Sequence, residues 1–223
     1  MRRIIDLSYP IEDHFRWKVE RSLAAAFDRG DDFQITRIGL TVHGFTHIDA
    51  PRHMVPGGAT TSEWRLESLV GEASVADLRG VEAGRPIDAP ELAACCAHCR
   101  PGDIVLLMTG WDERFRLHDP RFWSEAPFLT RRACEWLSER EPAAVGFDFP
   151  QDFPIRGLLR SDRAPMEEFV SHDVLLRRGV PLIEYVCNLG SIGSERTEVC
   201  ALPLRLPDAD GAPARVIALE RDL

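Results

Sequence analysis

Eleven consecutive residues, His43-Gly44-Phe45-Thr46-His47-Ile48-Asp49-Ala50-Pro51-Arg52-His53, hold three of the chain's 7 histidines and an aspartate. Imidazole nitrogen and carboxylate oxygen are the usual ligands of zinc and manganese, and three protein ligands leave positions open for water. The spacing restricts how such a chain can fold. In an extended strand, His43 and His47 would stand about 13 Å apart, too far for both rings to reach one ion comfortably. The chain must therefore bend between them, with Gly44 supplying conformational freedom and Pro51 stiffening the path from Asp49 to His53. A single histidine at a strand end is more often a core or surface residue than a ligand. Three of them with an aspartate at this spacing favour a metal site over chance clustering.

The rest of the chain alternates strand and helix patterns, as expected of one mixed α/β domain spanning residues 1–223. Ile4–Leu7 reads as a first strand. Gln34–His43 alternates apolar Thr36, Ile38, Leu40 and Val42 with Arg37, Gly39, Thr41 and His43, as a strand with one polar face would. Val75–Leu78 and Ile104–Met108 read as buried strands, with a helix over Pro90–Cys99 between them and Gly80–Pro90 as a surface loop. Thr130 is placed to cap a helix through Ala133, Trp136 and Leu137, and Ala143–Phe147 returns as a strand. A helix over His172–Arg178 ends at Gly179, Pro181–Val186 is a further strand, and Val199–Leu206 pairs with Arg215–Leu219 as a hairpin.

Composition narrows the function. The 223 residues carry a formal charge of −9, and no basic stripe interrupts that balance, which argues against nucleic acid or an anionic membrane as a partner. Of 27 Lys+Arg residues only Lys18 is lysine, and it has no glycine-rich context, which excludes a phosphate-binding P-loop. No stretch is long and apolar enough for a membrane span, and Asp6 interrupts the amino-terminal run needed for a signal peptide, so a cytoplasmic location is expected. The 6 cysteines are then expected to be reduced; Cys95-Cys96-Ala97-His98-Cys99 offers one Cys-x-x-Cys with no second pair to complete a zinc site. No Gly-x-Ser-x-Gly elbow and no nucleotide fingerprint occurs, which argues against serine hydrolases and nicotinamide-dependent dehydrogenases.

The His43–His53 segment resembles the His-x-Gly-Thr-His-x-Asp-x-Pro-x-His signature of the cyclase-like metal hydrolases, a family that includes bacterial kynurenine formamidases (arylformamidases) and isatin hydrolases. Asp6-Leu7-Ser8-Tyr9-Pro10-Ile11, Thr109-Gly110-Trp111, Val145-Gly146-Phe147-Asp148, His172-Asp173-Val174-Leu175-Leu176 and Pro181-Leu182-Ile183-Glu184 resemble its other motifs in order, so that nearly the whole chain is covered. The resemblance implies a swivelling β/β/α fold with a mixed β core and flanking helices, assembled as a homodimer or homotetramer. It further implies that His43, His47 and Asp49 bind a first ion, that Asp49 and Glu184 bridge to a second completed by His172, that His53 is the proton donor and acceptor, and that Trp17 contacts substrate. Three departures stand out, one being the stretch Phe147-Asp148-Phe149-Pro150-Gln151-Asp152-Phe153-Pro154, richer in aromatics and proline than the family's pattern. Gly44 and Phe45 reverse the family's usual order of variable residue and glycine, putting a bulky ring where a small residue is expected beside the metals. Trp17 sits in Phe15-Arg16-Trp17-Lys18 and not in a proline- and glycine-rich context.

The expected chemistry follows from such a ligand set. One or two Zn2+ or Mn2+ ions would lower the pKa of water from about 15.7 towards about 7 and polarise a carbonyl, with His53 moving the proton to the leaving nitrogen. The expectation is hydrolysis of an amide-type C–N bond in a small, aromatic formamide or cyclic amide. The alternatives are a metal-assisted lactonase, cyclase or dehydratase on an oxygen-bearing ring, and a metal- or ligand-binding module without turnover, which would not need His53. Aromatic residues at Phe122, Trp123 and Phe128 offer either an oligomer interface or a pocket lining.

Overall fold

The long strand at the carboxyl-terminal end of the fold organises the molecule, because it has more hydrogen-bonding neighbours than one sheet position allows. A computed structural model describes residues 2–160 and 162–221. The strands are β1 (Arg2–Asp6), β2 (Glu20–Ala25), β3 (Ile35–Gly39), β4 (His47–Asp49), β5 (Val70–Asp77), β6 (Pro86–Ile87), β7 (Ile104–Met108), β8 (Phe128–Leu129), β9 (Ala144–Phe147), β10 (Leu182–Glu184), β11 (Arg196–Pro203) and β12 (Gly211–Arg221). The helices are α1 (Ala89–Cys95), α2 (Trp111–Arg114), α3 (Pro120–Ser124), α4 (Arg131–Ser138), α5 (Ile155–Leu158) and α6 (Val170–Val174). The main sheet runs β1-β12-β11-β5-β7-β9-β10-β4, and a second pairing of β4 with β12 closes it. One edge of β12 is divided between two partners: Gly211–Pro213 pair with β4, and Ile217–Arg221 pair with β1. The result is a closed ring of seven strands with β1 as an extension, parallel through β5-β7-β9-β10 and antiparallel elsewhere. Closure removes sheet edges that would otherwise be open to pairing.

Period-two alternation sorts side chains between the two faces of this ring. Ile48, Val75, Ile104, Leu106, Ile183, Val199, Val216 and their neighbours form one buried cluster fed by every strand of the ring, its interior. Val105, Leu107, Val145, Phe147 and Leu182 join a second cluster with Leu92, Cys134, Leu137 and Val174 from the helices, which therefore cover the outer face. β7 is buried at all of its positions, as a central strand covered on both sides must be. The alternation also decides where chemistry can occur. Ile48 and Ile183 point into the ring, so His47, Asp49 and Glu184 point out of it.

Local signals account for the helices. Asp88 and Glu91 form a reciprocal capping box on α1, which ends at Cys95, short of the Cys99 expected from the sequence. Thr130 Oγ1 accepts from the Ala133 amide at the start of α4. The span expected as one helix over His172–Arg178 divides into α6 and a short 3-10 turn that ends at Gly179, whose φ of 82° is the left-handed cap.

Two expectations are corrected. The strand expected over Gln34–His43 is the shorter β3, which pairs only with β2, and the ribbon is exposed on both faces because no layer of the fold covers it. Phe122 and Trp123 form no surface patch. They are buried in the outer cluster, where the Trp111 and Trp123 indole N–H groups donate to the carbonyls of Phe122 and Leu117.

The turn after β7 is tied to β9 by one carboxylate. Asp148 accepts from the Thr109 amide at 2.9 Å, the Thr109 hydroxyl at 2.6 Å and the Gly110 amide at 2.8 Å. Burial pushes its carboxyl up to about 7 even with these donors around it. Replacing Asp148 by Ala leaves three buried donors without an acceptor, and the expected cost is about 3 kcal/mol, read as a lower denaturant midpoint in chemical unfolding.

Candidate metal centre

Strand register brings the first two ligand candidates together. His47 and Glu184 are direct partners across the antiparallel β4–β10 pair, and Asp49 follows His47 on the same outward face. The bend between His43 and His47 is real, but its left-handed residue is Phe45 (φ 61°) and not Gly44. Gly44 contributes space instead: a Cβ there would stand 3.3 Å from the Trp17 ring. The Phe45 ring, expected beside the metals, is fully buried in the outer cluster against His14 and Trp17 and does not line the site. Thr46 pins the bend, since its hydroxyl donates to the Tyr185 carbonyl and accepts from the Tyr9 amide.

At the centre lie two carboxylates with histidines on either side. Asp49 Oδ1 faces His43 Nδ1 at 2.7 Å and His47 Nε2 at 3.1 Å, while Asp49 Oδ2 faces His172 Nε2 at 3.3 Å. Glu184 divides its oxygens in the same way, with Oε2 3.6 Å from His47 Nε2 and Oε1 3.2 Å from His172 Nε2. His47, Asp49, His172 and Glu184 are buried, and His43 is half-buried. The far nitrogen of each histidine is held. His47 Nδ1 donates to the Phe45 carbonyl at 2.8 Å, His172 Nδ1 to Asp152 at 2.6 Å, and His43 Nε2 to Asp210 at 2.9 Å. Such contacts fix tautomer and ring orientation and leave the other nitrogen facing the centre. Gln151 donates to Glu184 and to the Ser171 hydroxyl, and Ser171 in turn donates to Asp152 at 2.7 Å.

The electrostatics match a site built for positive charge. Burial alone would raise the Asp49 carboxyl, but the charge of His47 and the facing imidazoles of His172 and His43 bring it well below the usual range. Glu184 is also lowered, against burial and the charge of Asp49, by His172 and His47. Burial disfavours charge on His43, yet Asp49 and Asp210 raise it to about 9, and Asp152, Asp49 and Glu184 raise His172 well above its ordinary value. His53 differs. Its ring lies 4.0 Å from that of His43 and 5.5 Å from that of His172, and burial, joined by the charges of those two histidines, lowers it. His47 Nε2 and Asp49 Oδ2 are buried without a hydrogen-bond partner. Orphaned donor atoms of these two types, converging with a second carboxylate, fit a divalent cation.

Every site residue expected from the sequence comes to this one place. His43, Asp49, His53, His172 and Glu184 line a cavity of about 320 Å³, and Trp17 and Tyr185 form part of its wall. Four participants had no distinguishing signal in the sequence. Asp210 lies in the β11–β12 connection, 167 residues from His43. Gln151 and Asp152 follow β9 in an aromatic- and proline-rich stretch. Tyr185 adopts φ 53°, and nothing in its neighbours announces it.

A closed ring of mixed strands thus carries an outward-facing His/Asp/Glu cluster, and comparison with known proteins identifies the family. Residues 5–151 match the family model described as "Putative cyclase", and the chain belongs to that family. It is 28% identical over 193 residues to a kynurenine formamidase of Erythrobacter litoralis, covering 86% of this chain and 80% of that one. A solved structure described as a potential metal-dependent hydrolase with cyclase activity is 28% identical, with a TM-score of 0.75 and all of both chains covered. Isatin hydrolase A of Labrenzia aggregata shares the fold at TM-score 0.81 and 21% identity, over 99% of this chain and 94% of that one.

Two outcomes test the centre. Asp152→Ala frees the His172 ring, and the expected result is a 10- to 100-fold weaker divalent-ion affinity in calorimetric titration. Because Asp49 and Asp210 keep His43 protonated below about 9, loading metal-free protein at neutral pH is expected to release protons, measured with an indicator dye in weak buffer.

Proposed function

We propose that this protein is a metal-dependent hydrolase that opens an amide-type C–N bond in a small aromatic formamide or cyclic amide. The observation that carries this reading is the pair of carboxylates, Asp49 and Glu184, each offering one oxygen to His47 and the other to His172. His43, His47 and Asp49 would hold one Zn2+ or Mn2+ ion, and Asp49, Glu184 and His172 a second. Such ions supply Lewis acidity for the carbonyl and acidify water at neutral pH.

The chain's own residues supply the remainder. His53 stands at the mouth of the ligand cluster with its ring lowered towards the neutral form, suited to take a proton and return it to the leaving nitrogen. Asp210, 3.7 Å from His53 Nδ1, also receives the His43 N–H and so orients both rings. Trp17 gives the substrate ring a flat apolar wall. Residues 1–223 act as one catalytic domain. We place it in the cytoplasm, where its six free thiols would persist, as a homodimer or homotetramer. The exposed ribbon of β2 and β3, with Leu23, Ile35 and Ile38 uncovered, supports assembly. No helix among the described residues is long and apolar enough to cross a membrane.

Purified protein is expected to carry zinc or manganese by elemental analysis, to lose hydrolysis of formyl-arylamines or isatin on chelation, and to recover it on reloading. Full turnover by metal-free protein, or hydrolysis of lactones alone, would overturn the reading. His53→Ala is expected to cut kcat by about 10²- to 10⁴-fold with bound metal nearly unchanged. Loss of metal from that variant would make His53 a ligand.

A further inference from the structure

Arg16 faces the same cavity as the metal-ligand candidates. Its side chain is half-buried, and Nη1 is fully buried without a hydrogen-bond partner. Among the described residues, no carboxylate lies within ion-pair distance of it. Four other arginines in this acidic chain are held by acids, Arg79 by Asp77, Arg121 by Asp119, Arg196 by Asp103 and Arg215 by Asp6. Arg16 is held by rings instead, with its guanidinium carbon 4.4 Å from the centre of Trp123 and 5.7 Å from that of Trp17. Trp17, Trp123 and Tyr185 pack on one another at 5.2 to 5.6 Å, so the platform is rigid. The backbone is fixed as well. The Arg16 amide donates to His14 Nδ1 at 3.0 Å, and His14 Nε2 reaches the Leu117 carbonyl at 3.0 Å.

A guanidinium partly removed from water with no anion beside it is costly, and an aromatic face offsets only part of that cost. The planar fork is suited to a carboxylate, which it binds through two parallel N–H donors. The rest of the cavity lining is largely apolar, with Met54, Ile155, Leu158, Met166 and Phe169 among it. One cavity therefore combines a free cation, an apolar wall and the ligand cluster.

We infer that Arg16 is a specificity residue that binds an acidic group of the substrate separate from the scissile amide, so that the site takes an aromatic amide bearing a carboxylate. This inference rests on the hydrolytic reading of the same site for its substrate class, and on Arg16 alone for the anion. A purely structural Arg16, clamped on Trp123 to close the aromatic cluster, would affect acidic and neutral substrates alike.

The test uses metal-loaded protein and two readouts. In the first, kcat/KM is compared for 2-formamidobenzoate and formanilide, which differ by the carboxylate. The wild type is expected to prefer the acid, and Arg16→Gln to reduce that preference about 100-fold, mainly through KM, with partial recovery in Arg16→Lys. An unchanged preference in Arg16→Gln would overturn the inference. The second readout is binding of benzoate against benzamide, followed by tryptophan fluorescence, with Trp17 and Trp123 as reporters. Benzoate is expected to bind more tightly and to lose that advantage in Arg16→Gln. Benzoate binding that survives the substitution would place the anion on the metals and overturn the inference. If the wild type hydrolyses neither amide while benzoate binding depends on Arg16, the hydrolytic reading fails and the anion site stands.

Discussion

Two carboxylates held within reach of the same imidazoles, away from water, are the interaction on which this molecule depends. Asp49 and Glu184 would repel each other in an apolar setting, and a buried carboxylate without a counter-charge is among the costliest groups a fold can contain. Three histidines meet that demand, each locked from behind by Phe45, Asp152 or Asp210. The supporting layer then makes its own demands. Asp152 must be held by Ser171, and Asp210 must be delivered by the connection that leads into β12. The ring of strands is what satisfies these requirements together, since β4 pairs with β10 on one side and with the start of β12 on the other. At that crossing Gly211 has no room for a side chain, because a Cβ would stand 2.7 Å from the His43 ring.

How much of this was legible in the sequence follows from distance along the chain. His43, His47, Asp49 and His53 announce themselves because one bend, one short strand and the 3-10 turn after it carry them all, so their clustering in space is already a clustering in sequence. Apolar runs likewise reveal β7, β9 and β10 as strands, but not the closure that joins them into a ring. Glu184 could be picked out as a charge inside an apolar strand, Leu182-Ile183-Glu184-Tyr185-Val186. Asp210 could not, since an aspartate before a glycine in a hairpin connection is what turn chemistry alone would select. Gln151 and Asp152 are equally ordinary until α6 places His172 beside them. Phe45 and Gly44 show the limit of local conformational reasoning. The residue free to bend was the glycine, yet the tertiary contact with Trp17 needed the glycine's missing side chain, and the left-handed conformation fell to its neighbour.

The amino-terminal segment plays a different part from the ring. Tyr9 is tied to Thr46, His14 to Leu117 and Trp17 to Phe45, so a stretch with little regular structure is drawn over the outer face and becomes one wall of the cavity. The ligand candidates sit on strands, a helix and the turn before β4, whereas Arg16 and Trp17 sit on this overlay. On the proposed reading, reaction type and choice of substrate fall to separate parts of the chain, which meet where Tyr9 holds Thr46 and Trp17 packs against Gly44.

The divided edge of β12 has a temporal consequence. While the chain is being made, the motif that holds His43, His47 and Asp49 leaves the ribosome long before its partner strand exists, and His43 is separated from Asp210 by 167 residues. Until β12 arrives, the other six strands of the ring form an open sheet whose β4 edge and candidate ligands both lack their final neighbours. Contacts of such long range close late, because the loop entropy must be overcome first. A centre of this construction is completed only once β12 has emerged, in the same event that seals the ring, so the nascent chain would carry ligand side chains before it has a finished place to keep an ion.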